Sequence, residues 1–388
     1  MNIKKVFTSI VPISIGVAIM VSGCRNYKDT QNYYSEDKVA LLNEYLQTGY
    51  LYDLEEVTEK QMSDSIYQNF VGMLDNPGTY YLNEESLEQL KVVNEGNYLG
   101  TGLELAWESS GKSIIVTGII EGSEASNIGV KQGDHVTSIA GIKVTGANQQ
   151  DIMEKIVYVG DEPIEYTIKD SKTDEERNVS LGVSKVDMPD ITTDLKDNIG
   201  YIKVDSIRKG TSDNIGEAIS DFESSNAEGI ILDLRGTHTN NLDEVAKISD
   251  LFLEEGIAFK SKDSKDAITS FEMTPGAYNK EFVIITNGYT AAGAEALVTA
   301  LKDECIHIGA DTNGLAYTSE IIELGDGTGL NVATKIIYDK NDEQINEKGI
   351  KPDEAVFISE EEKIEIIETG VIAEENDSFI KTAIKKLK

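Results

Sequence analysis

The stretch "FVIITNGYTAAGAEAL", residues 282–297, constrains the fold of this chain more than any other part of the sequence. Its first five residues predict a short buried strand, and the small residues that follow predict a helix entered through a sharp turn. From residue 198 onward, the apolar runs "NIGYIKVDSI", "GIILDLR" and "CIHIGA" also alternate with helical patterns. This alternation favours an α/β core with parallel strands joined by right-handed crossovers.

The turn itself presents side chains without obvious chemistry. In many hydrolases a strand-to-helix turn carries the nucleophile, and nearby backbone N–H groups hold a developing oxyanion. Here the turn offers Thr290, Ala291 and Ala292. Because alanine has no nucleophilic atom, the turn indicates a hydrolase framework without its reactive group.

The N-terminus predicts export and a lipid anchor. Lys4 and Lys5 precede the apolar run "VFTSIVPISIGVAIMV", which is short for a membrane span and ends in "VSGC". Small residues before Cys24 resemble a bacterial lipobox, so residues 1–23 are predicted to be a lipoprotein signal peptide and Cys24 the acylated residue. The alternative is an ordinary N-terminal anchor with an incidental cysteine. Residues 24–36 are then a polar tether, and residues 37–97 a helical N-terminal segment.

Charge and cysteine content exclude several classes of function. The formal net charge of −34 repels nucleic acid and anionic lipid surfaces, so no nucleic-acid partner is expected. Of the two cysteines, an acylated Cys24 leaves Cys305 alone and excludes an intramolecular disulfide. The three histidines, His135, His238 and His307, are scattered without ligand spacing, so we expect no metal and no cofactor.

In residues 98–186 the sequence pattern becomes that of short strands. This segment resembles a PDZ domain in the circularly arranged form found in bacterial proteases. The resemblance rests on "GTGL" (100–103) and on "EGSEASNIGVKQGDHVTSIAG" (121–141), although Glu124 replaces the usual proline. It implies a loop whose N–H groups bind a peptide's C-terminal carboxylate while the peptide adds a strand to the sheet edge. The implied peptide-binding residues are Gly100, Thr101, Gly102, Leu103, Ile152 and Ile156. The alternative is that these glycines only form turns.

The whole order resembles the carboxy-terminal processing, or tail-specific, serine proteases. It comprises the helical segment, the PDZ-like β-rich domain, and a third part (187–388) with "YIKVDSI", "GIILDLR", "NGYTAAGAE" and "GIKPDEAV". The implied fold is a multi-domain α/β protein with a protease-type core of the ClpP/crotonase-like kind. The implied chemistry is a serine nucleophile, a lysine base and a glutamine that orients the lysine.

This chain departs from that pattern at each catalytic position. The alignment puts Ala292 at the serine, Leu315 at the lysine and Ser319 at the glutamine, and residues 303–334 contain no lysine. The loop "GTHTNN" places Thr239 and Asn240 where the family has two glycines that help to form an oxyanion hole. The prediction is a pseudoprotease that binds peptides or protein C-termini, tethered at the extracytoplasmic face of a bacterial cell membrane.

Two alternatives remain open at this point. An active serine-type endopeptidase with relocated groups would need a new nucleophile and base, for which Thr290 and His238 are the fallback candidates. A purely structural envelope scaffold would need an occluded PDZ-like groove. Asp233 and Arg235 in "LDLR" are predicted to be structural residues at the end of a buried strand.

Overall fold

The computed structural model describes residues 58–107, 113–146, 148–149, 152, 162–275, 278–369 and 371–388, together with 39, 41–42 and 44–46. The chain divides into two compact units, Met1–Met62 and Ser63–Lys388. The sites considered below all belong to the second unit. Cys24 and the predicted signal peptide and tether lie outside the described residues.

A mostly parallel sheet forms the centre of residues 191–355. Its strands in spatial order, numbered along the chain, are β10 (Ile191–Lys196), β11 (Ile199–Val204), β12 (Ile230–Asp233), β16 (Phe282–Thr286), β18 (Ile306–Gly309) and β21 (Glu354–Ala355). β10 pairs antiparallel with β11, and every later pair is parallel. The predicted α/β core with parallel strands is therefore confirmed.

Helices cover both faces of this sheet, because its central strands are apolar on both sides. They are α3 (Thr211–Ser224), α4 (Leu242–Asp250), α5 (Gly293–Leu301) and α7 (Ser378–Lys386). Alternate strand residues divide between two cores: Ile230 and Ile284 pack with α3, α4 and α5, while Ile231 and Ile285 pack with α7. This alternation follows directly from the two-residue period of a strand.

A second, antiparallel sheet encloses α5 from the other side. It contains β1 (Tyr80–Leu82), β20 (Gly329–Asp339), β14 (Gly256–Asp263) and β15 (Ile268–Met273) in that order, with β19 (Tyr317–Glu323) on β20. Phe259 and Ile337 of this sheet join the same core as the helices. Every residue of α5 is consequently buried, which explains its composition of small and aliphatic residues.

Residues 97–187 form an antiparallel region between two paired strands. β2 (Asn97–Gly100) and β9 (Ser184–Asp187) pair with each other. Between them lies a sheet with β3 (Leu103–Trp107), β4 (Ile114–Ile119), β5 (His135–Ile139), β7 (Ile164–Lys169) and β8 (Glu176–Leu181), in that spatial order, with β6 (Ile142–Lys143) on β5. β3 is at the edge of this sheet and pairs there with β4 alone among the described strands.

The sequence predicts a helical segment over residues 37–97, but the part of it that the structure describes is not wholly helical. Helices α1 (Glu59–Gly72) and α2 (Glu84–Asn94) are present, but β1 lies between them and pairs with β20. The side chain of Asn83 caps α2 by accepting a hydrogen bond from the Ser86 N–H, 2.9 Å away. Among the described residues, no helix combines the length and apolarity that a membrane crossing requires.

A capping box joins the last two helices. At the start of α6 (Glu360–Thr369), Glu362 accepts a hydrogen bond from the Ser359 N–H at 2.6 Å, and Ser359 Oγ accepts one from the Glu362 N–H at 3.1 Å. Glu362 also accepts from the N–H of Ser378, at 2.7 Å, and from its hydroxyl, at 2.5 Å. One buried carboxylate therefore holds the first turns of α6 and α7 together.

Replacing this carboxylate by an amide, Glu362→Gln, is expected to cost about 1–3 kcal/mol at neutral pH, since the NH₂ group faces N–H and O–H donors. Burial alone would raise the pKa of Glu362, but the hydrogen bonds from Ser378 and Ser359 lower it to about 2. Stability from this carboxylate is present above its unfolded pKa and is lost as the pH falls toward 2. Urea titrations of both proteins should therefore differ at pH 7 and converge in acid. A constant difference across that range would contradict this account.

Candidate active site

The turn between β16 and α5 has the backbone of a nucleophile elbow. Ala292 has φ 54° and ψ −127°, a conformation that costs a non-glycine residue about 1–3 kcal/mol. Its amide precedes the first turn of α5, whose N-terminal N–H groups and dipole favour negative charge. The sharp strand-to-helix turn predicted from the sequence is confirmed, and alanine occupies its strained position.

Two loops from neighbouring parallel strands hold this turn. On one side β13 (His238–Thr239) pairs in parallel with β17 (Ala291–Ala292). On the other, the Asn313 N–H donates to the carbonyl of Thr290 at 2.9 Å. Because the carboxyl ends of parallel strands share one edge of the sheet, the loops after β12, β16 and β18 meet there. The structure thus brings together the turn and the loops of Thr239 and Leu315, as the alignment implied.

The amide of Ala292 is already hydrogen-bonded within the protein. It donates to the carbonyl oxygen of Leu315 at a distance of 3.2 Å. An amide at this position could stabilise an oxyanion only if its hydrogen pointed at the substrate. The alkyl side chain of Leu315 cannot act as a base, and the Leu315 carbonyl occupies a backbone donor of the turn.

Thr290, a fallback nucleophile, is buried and used in packing. Its hydroxyl donates to the carbonyl of Leu234 at 2.8 Å and accepts from the Asn287 N–H at 3.2 Å. The side chain has 0 % exposure, whereas His238 is exposed. The hydroxyl thus ties the turn to the end of β12 and forms no hydrogen bond with His238.

Ser319 lies in a polar contact that the sequence did not reveal. Its N–H donates to the side-chain oxygen of Asn240 at 2.8 Å, and its hydroxyl donates to the carbonyl of Gly78 at 3.0 Å. Asn331 donates to the same carbonyl at 2.9 Å. Since Gly78 is far away in sequence and carries no side chain, no local pattern could have predicted that it borders Ser319.

Glu295 fixes the loop that carries Leu315. Its Oε1 atom accepts hydrogen bonds from the Thr312 hydroxyl, at 2.5 Å, and from the Gly314 N–H, at 2.8 Å. The side chain is fully buried, and this burial raises its pKa despite the hydrogen bonds, which lower it. Glu295 ends the stretch "NGYTAAGAE", and its hydrogen bonds position residues 312–314 against the turn.

Asp233 and Arg235 are structural, as predicted. Asp233 ends β12, is fully buried, and accepts hydrogen bonds from Tyr201, at 2.9 Å, and from the Arg235 Nε, at 2.9 Å. Arg235 also pairs with Asp377 at 2.8 Å and lies over the ring of Phe379. Burial and the Asp233 carboxylate raise the pKa of Tyr201, so its phenol stays neutral. The cluster joins β12 to α7.

A hydroxyl–imidazole contact does occur in the core, between Thr286 and His307, with Oγ1 and Nε2 2.8 Å apart. Both residues are buried, at 0 % and 1 % exposure, and Thr286 Oγ1 donates to the carbonyl of Ala310. Burial lowers the pKa of His307 to about 4, so the imidazole is neutral at physiological pH. Without access to a substrate, this pair supports the packing of β16 on β18.

A cavity lies away from the turn, and no metal site accompanies it in the described part of the chain. A cavity of about 610 Å³ is lined by residues that include Phe252, Tyr278 and Phe282, at the amino end of β16 and so opposite the turn. Groups of His, Cys, Asp or Glu that could hold a metal are absent among the described residues.

The predicted carboxylate-binding loop joins β2 to β3. Its carbonyl groups face its own domain: Thr101 O accepts from the Ala125 N–H at 3.3 Å, and Gly102 O accepts from the Ile120 N–H at 2.9 Å. Leu103 and Ile152 belong to one buried apolar cluster, so Ile152, with 0 % exposure, supports the loop from within the domain. Ile156 lies outside the described residues.

Comparison with known proteins identifies the framework around the turn. Residues 198–356, which include the central parallel strands from β11 onward and all three loops, match the model of peptidase family S41. The chain contains a peptidase family S41 domain. This match agrees with the resemblance drawn from the sequence, and it covers the positions of Ala292, Leu315 and Ser319.

Curated relatives extend the similarity beyond the S41 domain. A probable CtpA-like serine protease of Staphylococcus aureus is 25% identical over 319 residues, covering 80% of this chain and 64% of the relative. Its counterpart in Staphylococcus epidermidis is 24% identical, again over 80% of this chain and 64% of the relative. The chain thus spans less than two thirds of the length of these relatives.

Solved structures share the fold of the S41 domain and its surroundings. A photosystem II D1 C-terminal processing protease aligns with a TM-score of 0.51 and 21% identity, covering 82% of this chain and 86% of that one. A putative S41 protease from Bacteroides fragilis aligns with a TM-score of 0.59 and 14% identity, covering 93% and 99%. The mixed α/β architecture is therefore that of S41 proteases.

Proposed function

We propose that this chain is a non-cleaving homologue of the carboxy-terminal processing proteases that binds peptides or protein C-termini. The observation that carries the proposal is Ala292. It occupies the strained position of the turn, and its amide donates to the carbonyl of Leu315. A framework that keeps the costly turn without the nucleophile suits recognition rather than hydrolysis.

The hydroxyls around the turn are held by the protein's own backbone, and His238, whose backbone pairs with Ala291, forms no hydrogen bond with Thr290. The hydroxyls of Thr237, Thr239 and Thr290 donate to the backbone carbonyls of Val204, Ile207 and Leu234. Leu315 cannot accept a proton through its side chain. A hydroxyl is a weak nucleophile unless an adjacent base takes its proton, so these threonines support the fold.

Recognition is assigned to residues 98–186, which we propose to be a PDZ domain. β3 is an edge strand whose backbone offers a ladder to an added peptide strand, and the 100–103 loop lies at its start. The loop's carbonyls bond inward, so its backbone N–H groups are the groups that could meet a carboxylate, and that of Gly102 donates to the Tyr98 hydroxyl in the free protein. An acceptor with negative charge would form the stronger, charge-assisted hydrogen bonds there.

Peptides that end in an apolar residue with a free carboxylate are expected to bind the full chain more tightly than their C-terminal amides. Fluorescence anisotropy with matched acid and amide peptides measures the difference. Gly102→Ala should abolish it, because Gly102 has φ +91° and an added Cβ would overlap Ser123. Gly141→Ala is the matched control, with φ +77° and open space around the Cβ. Equal affinity of wild type for both peptide forms would refute this site.

We further propose that Cys24 carries a lipid anchor that tethers the protein to the extracytoplasmic face of the cell membrane. The support is the "VSGC" sequence after the apolar run. Cys24→Ala is expected to accumulate as an unprocessed precursor without acyl label, whereas Cys305→Ala should be processed and labelled normally. Metabolic labelling with a fatty-acid analogue, followed by gel mobility, measures both. Labelling of the Cys24→Ala protein would contradict the anchor.

The names of the curated relatives favour a second candidate, a serine-type endopeptidase with relocated catalytic groups. It requires Thr290 or another hydroxyl to act with a base such as His238. The proteolysis experiment described in the Discussion separates this candidate from the first.

A further inference from the structure

One backbone N–H of the proposed carboxylate-binding loop already donates a hydrogen bond within the protein. The N–H of Gly102 donates to the phenolic oxygen of Tyr98, 3.0 Å away. Tyr98 belongs to β2, where it pairs with Val186 of β9, so its backbone lies outside the sheet that contains β3. A side chain from the neighbouring two-stranded ladder thus reaches the loop that would bind a ligand's carboxylate.

The tyrosine side chain reaches this amide by lying over Gly100, two residues further along β2. A Cβ atom at Gly100 would overlap the Tyr98 hydroxyl oxygen and lie 2.7 Å from the ring carbon that bears it. The absence of a side chain at Gly100 therefore makes room for the phenol. Burial raises the pKa of Tyr98, so the group that accepts from Gly102 is a neutral hydroxyl.

We propose that Tyr98 is an internal cap of the carboxylate-binding loop, whose hydroxyl holds the Gly102 amide in the free protein and is displaced by a ligand's C-terminal carboxylate. This inference rests on the proposed peptide-binding function. A carboxylate forms stronger hydrogen bonds to N–H groups than a neutral phenol does, so it can replace the cap. Ligands with weaker acceptors gain too little from the exchange, which makes Tyr98 a determinant of specificity for free C-termini.

Removing the hydroxyl removes what the ligand must displace. Tyr98→Phe is expected to bind acid-form peptides about three- to tenfold more tightly than wild type, the range that one net hydrogen bond supplies. Tyr98→Leu, which also removes the ring above Gly100, should bind at least as tightly as Tyr98→Phe. The full chain in detergent and the peptides of the preceding section are used for all variants.

Tyr166→Phe provides a matched control. The Tyr166 hydroxyl lies 3.4 Å from the hydroxyl of Thr101 in the same loop, but it contacts a side chain and not the Gly102 amide. Its removal deletes a buried tyrosine hydroxyl without uncapping the loop. Acid-form affinity should therefore not increase in Tyr166→Phe.

Hydrogen exchange tests the cap without any peptide. The Gly102 amide should exchange more slowly in wild type than in Tyr98→Phe, and the acid-form peptide should slow exchange in both. Equal exchange rates of this amide in the two free proteins would overturn the cap. The cap would also be overturned if Tyr98→Phe bound the acid-form peptide no more tightly than wild type does, while wild type still prefers the acid to the amide. If wild type shows no such preference, the peptide-binding function itself fails, and the cap fails with it.

Discussion

A denatured, fluorescently labelled protein should remain intact when incubated with the full chain, and the Ala292→Ser variant should leave it intact as well. The restored hydroxyl would sit in the turn beside Leu315, whose side chain cannot take its proton. General-base assistance contributes about 10²–10⁴ in rate. A missing oxyanion-hole donor costs a further factor of about 10²–10³, and the Ala292 amide already donates to the carbonyl of Leu315.

The double variant Ala292→Ser, Leu315→Lys tests whether the base alone was missing. We expect slow cleavage at most, because Thr239 and Asn240 remain in the loop beside the turn and Asn240 is bonded to Ser319. Release of fluorescent fragments over hours measures all variants against a buffer blank.

Two controls examine the rival catalytic groups. His238→Ala removes an exposed imidazole with little risk to folding, and Thr290→Val removes the buried hydroxyl, with a melting curve to monitor the lost bond to Leu234. If wild type cleaves the substrate and either variant abolishes that cleavage, the protein is an endopeptidase and the non-cleaving function is wrong.

Loss of Asp233 is expected to have the largest effect on stability. Asp233→Ala removes a fully buried carboxylate that accepts hydrogen bonds from Tyr201 and Arg235. Removing one partner of a buried ion pair costs about 3–5 kcal/mol, because the other charge loses its compensation. Arg235 keeps its contact with Asp377, so we expect a value near the lower end.

Asp303→Ala is the matched control for this experiment. Asp303 pairs with Lys340 at 2.9 Å, but its side chain is 52% exposed. Exposed pairs contribute about 0–1 kcal/mol, so urea denaturation should barely distinguish this variant from wild type. If Asp233→Ala were no more damaging than Asp303→Ala, the cluster would not hold β12 to α7 as described.

Local patterns were sufficient for much of the S41 domain. The apolar runs "GIILDLR" and "CIHIGA" predicted strands, and the structure has β12 and β18 there. The turn before α5 was also predictable, since small residues follow a buried strand. These features depend on periodicity and residue size, which neighbouring residues determine among themselves.

Other features needed contacts between distant residues. β1 was expected to belong to a helical segment, because its three residues carry little periodic signal and its partner β20 lies far along the chain. The contact of Ser319 with Gly78 and the bond from Gly102 to Tyr98 likewise depend on backbone groups that the residue types do not reveal. Such partners are set by the packing of whole strands and loops.

The residue types alone exclude Ala292 as a nucleophile and Leu315 as a side-chain base in any conformation. The folded structure determines the contacts of these residues. It gives Ala292 a strained backbone, bonds its amide to Leu315, and buries the Thr290 hydroxyl against Leu234. The physical reason is that residue identity limits which atoms can react, whereas hydrogen-bond partners and burial follow from three loops meeting at one sheet edge.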